Sequence, residues 1–126
     1  MEHTLFFDGN QKRISWLIQS NDSTEEQERD HTYKYLGKVT NEQSKYIALH
    51  VGIFWSIGRF IIKNEDTVNV MLDSKSMYKH LTEDVDNSDK FIEKRIWYLK
   101  ELISQRKLNI KYHLIEPKDD LATKLL

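Results

Sequence analysis

This sequence has no cysteine, one proline and four glycines among its 126 residues. The absence of cysteine excludes disulfides and thiolate metal sites, and it fits an intracellular, cytoplasmic protein. The four glycines are dispersed, so there is no Gly-rich loop to cradle a phosphate, and no low-complexity tract or internal repeat is present. No apolar run is long enough to span a bilayer. The longest, Tyr46 to Ile62, is broken by His50, Ser56, Gly58 and Arg59 and reads as a buried helix, so no membrane partner is expected. Met1 to Gly9 lacks the basic and long apolar parts of a signal peptide. Charge of one sign is also lacking. The formal net charge is -1, so any contact with nucleic acid must come from a local patch. The five histidines show no zinc spacing, and no Ser-His-Asp arrangement stands out.

What is present is enough apolar material for one core: 39% hydrophobic and 11% aromatic residues, which argues against disorder and for one domain over residues 1–126. Thr4 to Phe7 reads as a strand closed by the turn Asp8-Gly9-Asn10. Ile14, Trp16 and Ile18 alternate along a second strand over Lys12 to Gln19. Ser20 to Asp30 reads as a solvated loop, and Tyr33, Tyr35 and Leu36 place a third strand over His31 to Val39. Thr40 and Gln43 have the spacing of a capping box for a long helix ending near Asn64, with Tyr46, Leu49, Ile53, Ile57 and Phe60 on its core face. Thr67 to Leu72 is nearly continuously apolar and suggests a central strand covered on both faces. A short helix over Ser76 to Leu81, an acidic connector from Asp84 to Asp89, a helix over Ser88 to Lys107 and a strand over Leu108 to Leu114 follow. Pro117 suits the first turn of a terminal helix running to Leu126. Trp97 and Tyr98 are expected in or near the core, and the cations of the Ser88 to Lys107 helix read slightly better as a solvated face than as a phosphate-binding one. The order is β-β-β-α-β-α-α-β-α.

Asp8 and Asp73 each stand at the end of a strand, and Asp119 stands at the head of the expected terminal helix. In an α/β sheet the chemistry gathers at the C-terminal ends of the strands. Several carboxylates from separate elements meeting at one point are what a pair of hard divalent cations requires to clamp a phosphodiester.

Four motifs, Phe7-Asp8-Gly9, Thr40-Asn41 with Ala48-Leu49, Leu72-Asp73-Ser74-Lys75 and Asp119-Asp120-Leu121-Ala122, taken in this order, resemble those of the type 1 ribonuclease H family. The resemblance covers nearly the whole chain. It implies an α/β fold with a five-stranded mixed sheet and helices on both faces. It implies hydrolysis of the RNA strand of an RNA–DNA hybrid, with Asp8, Asp73 and Asp119 as catalytic acids that bind Mg²⁺ or Mn²⁺. It also implies nucleic-acid contacts at Gly9, Asn10, Thr40, Asn41, Glu42, Ser74 and Lys75. The family places a glutamate five residues after the Thr of Thr-Asn; Lys45 stands there. A cation replaces a metal-bridging carboxylate, which points to impaired hydrolysis or to an inactive domain that binds nucleic acid or a protein. Glu42, one turn earlier on the same helical face, and Asp120, next to Asp119, are the candidate substitutes. A homodimer through Leu121, Leu125 and Leu126 on the terminal helix is a further alternative.

Overall fold

The computed structural model describes residues 1–83 and 85–126; Asp84, in the acidic connector, lies outside them. Among the described residues five strands are present: β1 (Glu2–Gly9), β2 (Arg13–Ser20), β3 (Ser23–Asp30), β4 (Thr67–Leu72) and β5 (Asn109–Leu114). Three helices join them: α1 (Asn41–Gly58), α2 (Lys75–Glu83) and α3 (Lys90–Arg106). The strands form one mixed sheet in the order β3-β2-β1-β4-β5. β1 and β3 run antiparallel to β2, while β4 runs parallel to both β1 and β5.

Side-chain alternation divides the sheet into two faces. Leu5 and Phe7 of β1, Ile14, Trp16 and Ile18 of β2, and Val68, Val70 and Leu72 of β4 share one apolar cluster with Tyr46, Leu49 and Ile53 of α1, Met77 of α2, and Ile92, Ile96 and Leu99 of α3. Phe6 and Leu17 point the other way, onto Ala122 with Met71 and Ile115 beside them. β4 alternates between buried and half-buried positions, so it is covered fully on the helical face alone. Among the described residues, no helix is long and apolar enough to cross a membrane.

Four expectations from the sequence are corrected. The third strand is Ser23–Asp30, and residues 31–39 form turns. β3 has no apolar residue and is almost wholly exposed. It exists because the Asn21-Asp22 turn, with Asn21 at φ 53°, folds it back to pair with β2 from Ser23 to Asp30. The long helix stops at Gly58, and Phe60 lies beyond it at φ 63° and is 80% exposed. The expected terminal helix is replaced by two 3₁₀ turns, Pro117–Asp119 and Thr123–Leu125. These turns cover the second face of the sheet through Ala122, and the helical stripe required for the Leu121, Leu125 and Leu126 dimer does not form. Trp97 and Tyr98 are exposed on α3, not in the core.

The first turn of α1 follows the sequence directly. Thr40 Oγ1 accepts from the Gln43 N–H at 3.0 Å, and Gln43 Oε1 accepts from the Thr40 N–H at 2.9 Å. Two otherwise unpaired amides are thereby satisfied where the helix meets the sheet edge. The helix can lie close to β1 because residue 9 is glycine: a Cβ there would stand 2.7 Å from the Ser44 carbonyl oxygen. Burial of the Leu49 and Ile53 side chains then holds the helix down, each contributing about 1.5–3 kcal/mol.

Candidate functional site

β1 and β4 are parallel neighbours, so their C-terminal ends lie side by side. Asp8 is the penultimate residue of β1, and Asp73 follows β4 directly. The chain after β5 crosses the sheet and is pinned to the second face by Ser15, whose Oγ donates to the Ala122 carbonyl at 2.7 Å. It is pinned again by Thr123, whose Oγ1 donates to Asp8 Oδ2 at 2.6 Å. This route delivers a third carboxylate. One oxygen each from Asp8, Asp73 and Asp120 lies within 4.8 Å of the others.

The third acid of the cluster is therefore Asp120, and the expectation of Asp119 is corrected. The 3₁₀ turn ends at Asp119, and extended backbone at Asp120 (φ −79°, ψ 104°) turns the next side chain in instead. Asp120 is 5% exposed, while Asp119 is exposed. Asp119 lines a cleft of about 590 Å³ with Asp73, Lys75, Leu114, Ile115, Glu116 and Pro117.

Lys45 reaches into the same cluster from α1. Its Nζ donates to Asp73 Oδ1 at 2.8 Å and lies 3.8 Å from Asp8 Oδ1. Burial pulls the ammonium down, but Asp73, Asp8 and Asp120 together hold it above the usual lysine value. Burial pushes the Asp120 carboxyl up to about 8; the Ala122 N–H opposes this, and the Asp73 and Asp8 carboxylates reinforce it. One Asp120 oxygen accepts from that N–H at 3.0 Å, and the other is buried with no hydrogen-bond partner among the described residues. In type, three carboxylates suit a hard divalent cation. In arrangement, an ammonium already occupies hydrogen-bond distance from Asp73, and burial beside two other acids favours the protonated form of the third.

The remaining candidates separate by what already engages them. Thr40 is used in the α1 cap. Glu42 accepts from Ser76 Oγ at 2.8 Å, so it turns toward α2 and does not replace the missing acid. Ser74 Oγ accepts from the Met77 N–H at 3.3 Å and so serves the start of α2. Asn10 Oδ1 accepts from the Lys12 and Arg13 N–H groups at 2.8 and 2.9 Å and shapes the β1–β2 turn. Gly9 is buried beneath Ser44. Asn41 and Lys75 are exposed, and neither side chain is engaged among the described residues. The contact of Thr123 with Asp8 left no signal in the sequence, because it depends on the path of the terminal segment.

No family model matches this sequence, and no curated protein matches it. Solved structures do. The RNase H1 of the halophilic archaeon Halobacterium salinarum is 20% identical, with 98% of this chain aligned to 96% of that one at a TM-score of 0.74. The N-terminal RNase H domain of a Mycobacterium tuberculosis protein, solved as a fusion with maltose binding protein, is 17% identical over 98% of this chain and 89% of that one, at 0.72. LC11-RNase H1, solved in complex with an RNA/DNA hybrid, is 14% identical over 98% of this chain and 91% of that one, at 0.71. At these identities the likeness is one of architecture: the chain has the ribonuclease H fold.

Proposed function

We propose that this chain binds RNA–DNA hybrids on the face that carries the acid cluster and that it does not hydrolyse them. The observation behind this reading is the Lys45 ammonium, 2.8 Å from Asp73 and 3.8 Å from Asp8. It supplies the positive charge that the acids would otherwise draw from a metal. With that ammonium among the acids, Mg²⁺ or Mn²⁺ would have to displace it to bridge them, so the residues as arranged do not fit a divalent cation. No hydrolytic step follows from this geometry.

What remains is recognition. An RNA–DNA hybrid is distinguished by shape and by 2′-hydroxyls in its shallow groove. Asn41, with one carbonyl acceptor and two N–H donors, suits a base edge or a 2′-hydroxyl. Lys75, beside the 590 Å³ cleft, suits a backbone phosphate. Thr40 and Ser74 support this face indirectly by fixing the first turns of α1 and α2. The likeness to LC11-RNase H1, solved with a hybrid, supports the choice of ligand.

A second reading, residual metal-dependent cleavage, draws support from the buried Asp120 oxygen that has no hydrogen-bond partner among the described residues. One experiment separates the two. A labelled hybrid is expected to bind the wild-type chain in EDTA and to stay intact with Mg²⁺ or Mn²⁺. Cleavage by the wild type that disappears in Asp73→Asn would overturn the binding-only reading. Absence of hybrid binding would overturn the assignment of ligand. Gain of Mn²⁺ binding in Lys45→Glu would identify the ammonium as the group that excludes the metal.

A further inference from the structure

A second polar site lies between α3 and the turns that lead into α1. It shares no residue with the acid cluster. A cleft of about 360 Å³ is lined by Lys34 and Tyr35 from the turns and by Phe91, Lys94, Arg95 and Tyr98 from α3. Among the described residues, three cations and three aromatic rings line it, and no carboxylate does. Tyr35 and Phe91 meet edge to face at 5.7 Å. Lys34 Nζ lies 5.6 Å from the centre of the Tyr35 ring, and the Arg95 guanidinium lies 5.7 Å from that of Phe91.

Arg95 is the informative residue. Its guanidinium donates to His50 Nδ1 and to Tyr35 Oη, each at 3.2 Å, and among the described residues it forms no ion pair with a carboxylate. His50 is neutral at physiological pH, because burial and the adjacent Arg95 bring it down to about 4. A half-buried guanidinium is thus oriented by neutral partners, and no carboxylate among the described residues compensates its charge. Asp30 lines an adjoining hollow, but it is occupied by Arg13, whose Nε donates to it at 2.9 Å. Lys94 is exposed at the rim and its ammonium is not engaged among the described residues.

We propose that this cleft binds one nucleotide unit, with Arg95, Lys34 and Lys94 on its phosphate and the Tyr98 and Phe91 rings against its base. A fixed guanidinium flanked by lysines is a receptor for phosphate oxygens. Rings beside it, Tyr98 exposed and Phe91 half-buried, add stacking, which any base can satisfy. The volume falls in the range of small-ligand sites. A free mononucleotide and the end of a single strand present the same chemistry, and the ligand is one of these two.

Calorimetric titration of the full chain tests this with three probes: AMP, an oligo(dT) of about eight nucleotides, and inorganic phosphate. Saturable binding of AMP is expected if the source is a free nucleotide, and of the oligonucleotide alone if it is a strand. In either case Lys94→Glu, a surface change that leaves the thermal melt in place, should weaken binding about tenfold. Arg95→Gln should weaken it at least as much. The proposal fails if neither AMP nor the oligonucleotide binds at about millimolar concentration. It fails if both variants bind within about twofold of wild type, or if phosphate alone binds as tightly as the better nucleotide probe. Lys75→Glu should weaken the hybrid and leave AMP binding unchanged, so failure of either reading leaves the other standing.

Discussion

Two buried clusters of charge sit at opposite ends of the β1–β4 pair, and they treat their carboxylates in opposite ways. At the N-terminal end, Asp66 lies just before β4. It accepts from His3 Nε2 at 2.8 Å, from the Lys63 N–H at 2.8 Å and from the N-terminal ammonium at 3.3 Å. Burial alone would raise its pKa, but these donors outweigh burial and bring it down to about 2. His3, itself 1% exposed, is held on its other side by Ser20. At the C-terminal end, Asp120 has one N–H donor and two acidic neighbours, and its pKa rises to about 8. The first cluster satisfies its carboxylate and stabilises the fold. The second carries a cost in stability beside an open cleft. A buried acid retained at a cost is a sign of function; a fully satisfied one is a sign of architecture.

The largest effect that would break this contrast is expected at Asp66. Asp66→Ala leaves His3, the Lys63 amide and the N-terminal ammonium without their acceptor, and chemical denaturation should show a loss of about 3–5 kcal/mol. A loss below about 1 kcal/mol would mean that the N-terminal cluster is not structural. Next comes Lys45→Met, which leaves Asp8 and Asp73 facing each other without their cation. A loss of about 2–3 kcal/mol is expected, less than for a fully buried pair because the Lys45 side chain is 22% exposed. Recovery of that stability with millimolar Mg²⁺ would show that ammonium and metal compete for one place.

Acid titration gives the next largest effect. The Asp66 carboxyl is lowered from 3.8 to about 2, so the unfolded chain binds its proton first as pH falls. The stabilisation is complete above about pH 4 and is lost as pH falls through about 2. It amounts to roughly 2–3 kcal/mol, and urea melts in this window check it. In Asp66→Asn this part of the acid dependence should vanish. An unchanged slope would place the acid sensitivity elsewhere.

The two clusters also differ in how far the sequence revealed them. Asp73 was legible because an apolar strand, an acid and a helix start are adjacent in the chain, and Asp8 because a strand and a turn bracket it. The α1 cap was legible because Thr40 and Gln43 satisfy each other locally. β3 was not, because hydrophobic periodicity reports burial and both faces of this edge strand are solvated. Its charged residues protect an open edge without contributing to the core. The inward turn of Asp120 was hidden because it depends on Ser15 and Thr123 pinning the terminal segment across more than 100 residues of sequence. The cluster of His3, Ser20 and Asp66 left no pattern, since its members meet only once β1, β2 and the approach to β4 are assembled.

The smallest expected effect sharpens the contrast most, because its sign reverses. The folded-state pKa of Asp120 lies above the unfolded value of 3.8, so the folded chain retains a proton that the unfolded chain has released. Stability contributed by this group therefore falls as pH rises from about 4 to about 8, the reverse of the acid loss at Asp66. Asp120→Asn is neutral throughout. It should match the wild type near pH 4 and exceed it near pH 8, by about 1 kcal/mol or more, read as a rise in melting temperature of a few degrees. Removal of a buried carboxyl that forms hydrogen bonds normally destabilises. A gain at high pH therefore requires that Asp120 is strained by its acidic neighbours. A variant less stable than the wild type at both pH values would instead make Asp120 a structural acid like Asp66, and the distinction between the two ends of the sheet would collapse.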